Sequence, residues 1–324
     1  MSRKIYFSTP GRFSAKRTLI GAVSRCHHRL APSHARKIAR KLFLTPTRSP
    51  AVNAAPNGLE RFTAQSQQGE LQMYSVGAGP TWLLTHGWSG SASQFFPLMA
   101  HIASLGFRAV AFDHPAHGES GGHESHIPGF VQAINDVLDQ VDNVSGVVAH
   151  SMGAAAVLES QHPQLDDLPL LLVAPVLNYR ENLYATVRQS GYSLKLFDEI
   201  VQEVGEQYGY PIETIEPLTK LGARRHQVVI AHDRSDRFAS FSVTEKANDY
   251  QHVCLLPTDG LGHGRILKSD VTLQAFTDLA AKTDPAVHSV ESATSSSDIA
   301  ARKKTGRQLR PARQPWMCKL RQVI

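Results

Sequence analysis

The sequence predicts an α/β protein: a mostly parallel central sheet with helices on both faces and a small helical cap. Three observations carry the prediction. Strand-sized apolar runs alternate with helical patterns along most of the 324 residues. Several of those runs, such as the one through Leu83 and the one through Leu171, are continuously apolar, as strands covered on both faces must be. A stretch of about 45 residues after Val176 then breaks the alternation with helical patterning and no convincing strand.

Each element follows in order. After a linker at 49–58, residues 61–64 and 71–76 read as two strands joined by a polar turn. Residues 82–85 form a short buried strand that ends at His86 and Gly87. Phe95, Phe96, Leu98, Met99 and Ile102 recur on one side of a helix, and 108–112 is the next strand, closed by Asp113 and the loop 115–122. A helix over 128–140 carries Phe130, Ile134 and Leu138 at intervals of four. Further strands are expected at 144–149, 168–174, 227–231 and 253–257, with helices at 153–159, near 242–248 and over 271–281.

The interruption has helical patterning around Leu183, Tyr184 and Val187 and again at 196–204. Placed after the sixth or seventh strand, a cap at about 177–221 would lie above the carboxyl ends of the sheet, where open α/β sheets bind ligands. Tyr184, Tyr192, Phe197, Tyr208 and Tyr210 are then available to line an acyl or aryl pocket, or to pack the cap itself.

Charge divides the chain. Residues 1–50 hold twelve Lys or Arg and no acid, and residues 284–324 carry a net +5, so the overall +6 leaves residues 51–283 at −11. The basic balance belongs to the ends, and no nucleic-acid partner is expected of the core. The reading is a basic, partly disordered extension at 1–58, an α/β domain at 59–283 and a disordered basic tail at 284–324. Residues 35–44 form a short basic amphipathic pattern. It suits either docking on the protein through Ile38, Leu42 and Phe43 or weak contact with an anionic membrane surface. With no secretory signal and no membrane-length apolar run, a cytoplasmic location is expected, peripheral to a membrane if 35–44 binds lipid. The serine- and arginine-containing, acid-free amino end also fits an organelle transit peptide. Cys26, Cys254 and Cys318 are widely spaced and imply no disulfide framework, and Cys254 reads as a small buried hydrophobe.

The chemistry centres on Ser151, in Ala149-His150-Ser151-Met152-Gly153 directly after an apolar strand. A serine there either exposes a nucleophilic hydroxyl or caps the following helix. As a nucleophile it needs a base, and the base needs a carboxylate to fix its tautomer. His263, flanked by Gly262 and Gly264 in a late loop, is the base candidate. Asp236 and Asp233 compete for the third role. Asp236 is favoured because a turn after the strand can carry it back toward the histidine loop, whereas Asp233 suits a turn-former or a partner of Arg234 or Arg237. The backbone N–H groups of Met152 and Trp88 are the natural oxyanion donors. His86, Gly87, Asp113 and His117 fit a hydrogen-bonded support around them, and His117 is a poorer base than His263 because it would leave Asp236 without a role. No metal or cofactor is called for.

These residues closely resemble the α/β-hydrolase superfamily from about residue 71 to 280. The resemblance rests on His86-Gly87-Trp88, on the turn from Asp113 to Ser120, on the elbow at Ser151, and on Asp236 and His263 in the order Ser, Asp, His. Two departures stand out: Ala149 replaces the usual first glycine of the elbow, and Asp233 stands where many relatives have glycine. The second resembles a bacterial subgroup described only as hydrolases. The resemblance implies a metal-independent serine hydrolase acting on a small acyl ester through an acyl-enzyme. A thioester or lactone would use the same groups, and a non-catalytic binding protein could share the fold.

Overall fold

The computed structural model describes residues 15–48 and 50–283. Two helices come first, α1 (Ala15–Leu30) and α2 (Pro32–Leu44), with a proline in the first turn of α2 where its missing N–H costs nothing. Eight strands follow: β1 (Glu60–Ser66), β2 (Gly69–Val76), β3 (Thr81–Thr85), β4 (Arg108–Phe112), β5 (Val144–His150), β6 (Leu170–Val173), β7 (Val228–Asp233) and β8 (Val253–Thr258). They form one sheet in the order β1-β2-β4-β3-β5-β6-β7-β8. β1 and β2 are an antiparallel hairpin and β2 runs antiparallel to β4, while every later pairing is parallel. This is the mostly parallel sheet that the apolar runs predict.

Helices α3 (Phe96–Ser104), α4 (Ile127–Leu138), α5 (Met152–Glu159), α6 (Pro163–Asp167), α7 (Tyr179–Ser190), α8 (Leu194–Tyr208), α9 (Pro217–Ala223), α10 (Phe241–Lys246), α11 (Gly262–Arg265) and α12 (Asp270–Thr283) complete the described chain. Alternation along each strand sends neighbouring side chains to opposite cores. Leu83, Val147 and Ala149 meet Phe130, Ile134 and the alanines of α5 on one face. Trp82, Leu84 and Val148 meet Met99, Ile102 and Phe276 on the other. The sheet is therefore covered on both sides, and its carboxyl edge is left to carry loops. Cys254 is buried in β8, as read, but it is disulfide-bonded where the spacing of the cysteines implied no disulfide framework.

The cap is inserted after β6 and consists of α7, α8 and α9. Glu159, buried at the end of α5, ties it down: one carboxylate oxygen accepts the Glu216 N–H at 2.7 Å and the other the Tyr210 hydroxyl at 3.0 Å. The cap aromatics pack among themselves and their neighbours. Tyr184 meets Phe197 edge-on, Tyr192 meets Phe43, and Tyr208 lies on His126.

The amino-terminal helices dock on this cap, so residues 15–44 of the extension expected at 1–58 supply two helices. Ala35, Ala39 and Leu44 of α2 pack against Leu196, Ile200 and Val204 of α8, with Phe43 beside them. Arg40 reaches Glu124 at 2.8 Å and Glu203 at 2.6 Å. Of the three side chains expected to dock, Phe43 does so, whereas Ile38 and Leu42 are 43% and 52% exposed. Small alanines let α2 approach α8 closely, and the bulkier pair beside them is left outside. Residues 1–14 and the tail expected at 284–324 lie outside the described residues. Among the described residues no helix is long and apolar enough to cross a membrane.

Candidate active site

Ser151 sits between β5 and α5 with φ +56° and ψ −118°, a conformation that a residue with a Cβ rarely adopts. It occupies the position before the helix, yet its side chain makes no capping bond. The hydroxyl instead donates to His263 Nε2 at 2.9 Å. The elbow is tight: a Cβ on Gly153 would lie 2.5 Å from the His86 carbonyl oxygen. Ala149, fully buried at the elbow's first position, fits without a glycine there.

His263 Nδ1 donates to Asp236 Oδ2 at 2.7 Å, so the two loops after β7 and β8 deliver a base and an acid to one serine. Asp236 has no exposed side-chain surface. Burial alone would raise its pKa. Hydrogen bonds from His232 and His263, the charge of His263 and the Phe238 N–H outweigh burial and hold the carboxyl well below the usual carboxylate range. His232 is the second imidazole on the same oxygen, at 3.2 Å, and is itself fixed by Thr244 at 2.8 Å.

Asp233 does not pair with Arg234, which goes to Asp259. One of its oxygens closes a turn with Ser235, as expected of a turn-former. The other accepts from Thr258 Oγ1 at 2.9 Å and from the Leu261 N–H at 2.8 Å, which fastens the loop that carries His263. His150, next to the nucleophile, donates from Nε2 to the His263 carbonyl at 3.0 Å. Burial, then the neighbouring His263, pushes its pKa down to about 3, so it stays a neutral strut.

The opposite wall is the loop after β3. A Cβ on Gly87 would stand 2.6 Å from Ser151 Cβ, so only glycine lets this loop reach Ser151. Gly87 to Gly90 make a turn with Ser89 at φ +55°, and Trp88 at its crest is 38% exposed. His86 is fully buried, accepts the His114 N–H and donates to the Gly87 carbonyl. His117 Nε2 accepts the Ser89 N–H at 3.0 Å while Nδ1 donates to Pro115. Burial depresses both, to about 4 for His86 and, helped by the His86 imidazole, about 3 for His117. Asp113 accepts the N–H groups of Ala92 and Glu119 and the Tyr74 hydroxyl. These residues hold the loop in place, and Met152 opens α5, where its N–H has no intrahelical acceptor.

Comparison with known proteins agrees with this layout. The family model for Serine aminopeptidase, S33 matches residues 80–210. A putative non-heme haloperoxidase of Mycobacterium phage D29 is 30% identical over 168 residues, which is 48% of this chain and 59% of that protein. The chain thus spans under two thirds of this relative's length. Among solved structures, the Pyrococcus furiosus esterase Pf2001 superposes with a TM-score of 0.53 at 16% identity, over 73% of this chain and 98% of the esterase. The thioesterase domain from the curacin biosynthetic pathway gives 0.51 at 16% identity, over 68% and 99%. Est1E from Butyrivibrio proteoclasticus, bound to ferulic acid, gives 0.51 at 14%, again over 68% and 99%. The chain has the α/β-hydrolase fold.

On that fold the structure adds residues that sequence reading left without a role. His232, four residues before Asp236, and His150, directly before Ser151, both touch the triad-like chain. A strap of residues 45–48 and 50–53 runs beside the loop at 87–90. Its Thr47 N–H donates to Ser89 Oγ at 3.0 Å, and Arg48 donates to the carbonyls of His117, Gly118 and Gly122. Val52 and Asn53 share an open cleft of about 690 Å³ with Phe238, Leu261 and His263. A second cleft of about 500 Å³ lies between α7 and the 236–240 loop, with Phe238 common to both. None of the five cap aromatics lines either of these two clefts.

Proposed function

We propose that this protein is a serine hydrolase that cleaves a carboxylic ester through an acyl-enzyme. The observation that carries the reading is the unbroken hydrogen-bond chain from the Ser151 hydroxyl through His263 to the buried Asp236 carboxylate. A serine hydroxyl is a weak nucleophile until a base takes its proton, and here the base is already in contact. Ser151 Oγ attacks the acyl carbon as its proton passes to His263 Nε2, and Asp236 stabilises the resulting imidazolium through Nδ1–H. The N–H groups of Met152 and Trp88 receive the oxyanion. Collapse releases the alcohol with the proton from His263, and a water activated by the same imidazole then frees the acid. A thioester or lactone would pass through the same steps.

Initial rates on p-nitrophenyl esters of increasing acyl length, on thioesters and on lactones test the reading and rank the substrate classes. Wild-type turnover that Ser151→Ala abolishes is expected on at least the ester set. A folded wild type no faster than Ser151→Ala on every member would overturn it.

A further inference from the structure

We propose that the α1–α2 hairpin is a docking surface for an anionic lipid bilayer. α1 turns its small, polar side toward the protein. Gly21 faces Gly191, where a Cβ would come within 2.9 Å of the carbonyl oxygen, and Ser24 Oγ accepts the Ser193 N–H at 3.1 Å. The opposite side carries Leu19, Val23, Cys26 and Leu30, which recur at i, i+4, i+7 and i+11 and form one stripe along the helix. Leu19 is 64% exposed, Val23 58% and Leu30 79%. A helix on a globular protein ordinarily points such a stripe at the core, and this one points away from it. α2 adds Ile38 and Leu42, left outside because Ala35, Ala39 and Phe43 make the contact with α8.

Charge selects the occupant. Residues 15–44 contain eight Lys or Arg and no Asp or Glu. Arg40 is engaged with the cap, whereas Lys16, Arg25, Arg29, Lys37 and Lys41 are exposed around the apolar stripes, and Arg36 is exposed beside Glu199. Apolar side chains ringed by cations suit a bilayer of negative headgroups, where the chains enter the boundary region and the cations meet phosphates. Two copies meeting symmetrically through this face would instead bring six exposed cations against six, which disfavours self-association. The hairpin is also firmly mounted, by Ser24 on the Ser193 backbone and by Arg40 on Glu124 and Glu203. Contact with a bilayer would therefore hold the cap and the strap along with it. None of this depends on the chemistry of Ser151.

Co-sedimentation of the full-length protein with phosphatidylcholine vesicles, with and without phosphatidylglycerol, is the test. Wild type is expected to bind the anionic vesicles about tenfold better than the neutral ones, and less well in high salt. Leu19→Glu/Val23→Glu and, separately, Lys37→Glu/Lys41→Glu should each lower anionic-vesicle binding about tenfold while the thermal melt stays that of wild type, since all four positions are exposed. Three results would overturn the proposal: no preference of wild type for anionic vesicles, binding by Leu19→Glu/Val23→Glu equal to wild type, which would place it elsewhere in the chain, or a dimer lost in that variant without any vesicle dependence.

Discussion

Ser151 is held in a left-handed conformation that costs on the order of 1–3 kcal/mol, and the hydrogen bond it makes is to a base rather than to the helix it precedes. Around it the two aspartates have divided their work. Asp236 faces His263, and Asp233 faces the backbone that supports His263. Their substitutions should separate accordingly. Asp236→Asn is expected to lower kcat about 10⁴-fold with little change in melting temperature, because the amide still accepts from Phe238 but no longer fixes the imidazole tautomer. Asp233→Ala should instead cost about 2–4 kcal/mol of stability, read from denaturant unfolding, since it leaves the Thr258 hydroxyl and the Leu261 N–H without their acceptor.

At the scale of elements, the loop at 87–90, the proposed oxyanion loop, is placed from three sides: by its own glycine, by His117 beneath it and by the strap above. Gly87→Ala should reduce kcat by about 100-fold or more while the fold survives, because a Cβ there collides with Ser151 before anything else. Arg48→Ala, which frees the carbonyls of His117, Gly118 and Gly122, should lower kcat/KM by about threefold to tenfold with a nearly unchanged melt. Only part of this was legible beforehand. All eight strands could be read, the inner ones because burial on both faces leaves continuous apolar runs and the β1–β2 hairpin because a polar turn divides two short runs, and the elbow because it needs small residues in fixed places. Residues from 49 on were read as linker and Arg48 was given no role, since the strap's contacts, the Arg48 and Asn53 side chains on backbone carbonyls and the Thr47 and Val52 N–H groups on serine hydroxyls, leave no periodicity in the sequence. The docked side of α2 was read only in part because two adjacent stripes are apolar, and the choice between them is made by the shape of α8. His232 and His150 carry no local signal either; their importance depends on which loops β7 and β8 bring to the same point.

Across the whole molecule, the site is embedded in neutral imidazoles. His86, His114, His117, His126 and His150 all have depressed pKa values, with burial the leading cause in each; His86 and His126 fall to about 4, His117 and His150 to about 3. Unfolded, each would take a proton near pH 6.5. The unfolded state therefore binds more protons than the folded one between about pH 6.5 and 4, and stability falls as pH drops through that window. Glu159, whose pKa burial raises, offsets this in part by holding its proton in the fold. Calorimetric melts from pH 7 to pH 4.5 should show a steep fall in melting temperature with an uptake of about four protons on unfolding. A flat profile would mean that the histidines are not neutral struts.

The central claim is that this arrangement activates one hydroxyl. Incubating the full-length protein with a fluorophosphonate probe and locating the adduct by peptide mass spectrometry tests it most directly. One equivalent of label on Ser151, absent from Ser151→Ala and strongly slowed in Asp236→Asn, is the expected result. A folded wild type that takes up no label, or that labels equally well as Ser151→Ala, would contradict it.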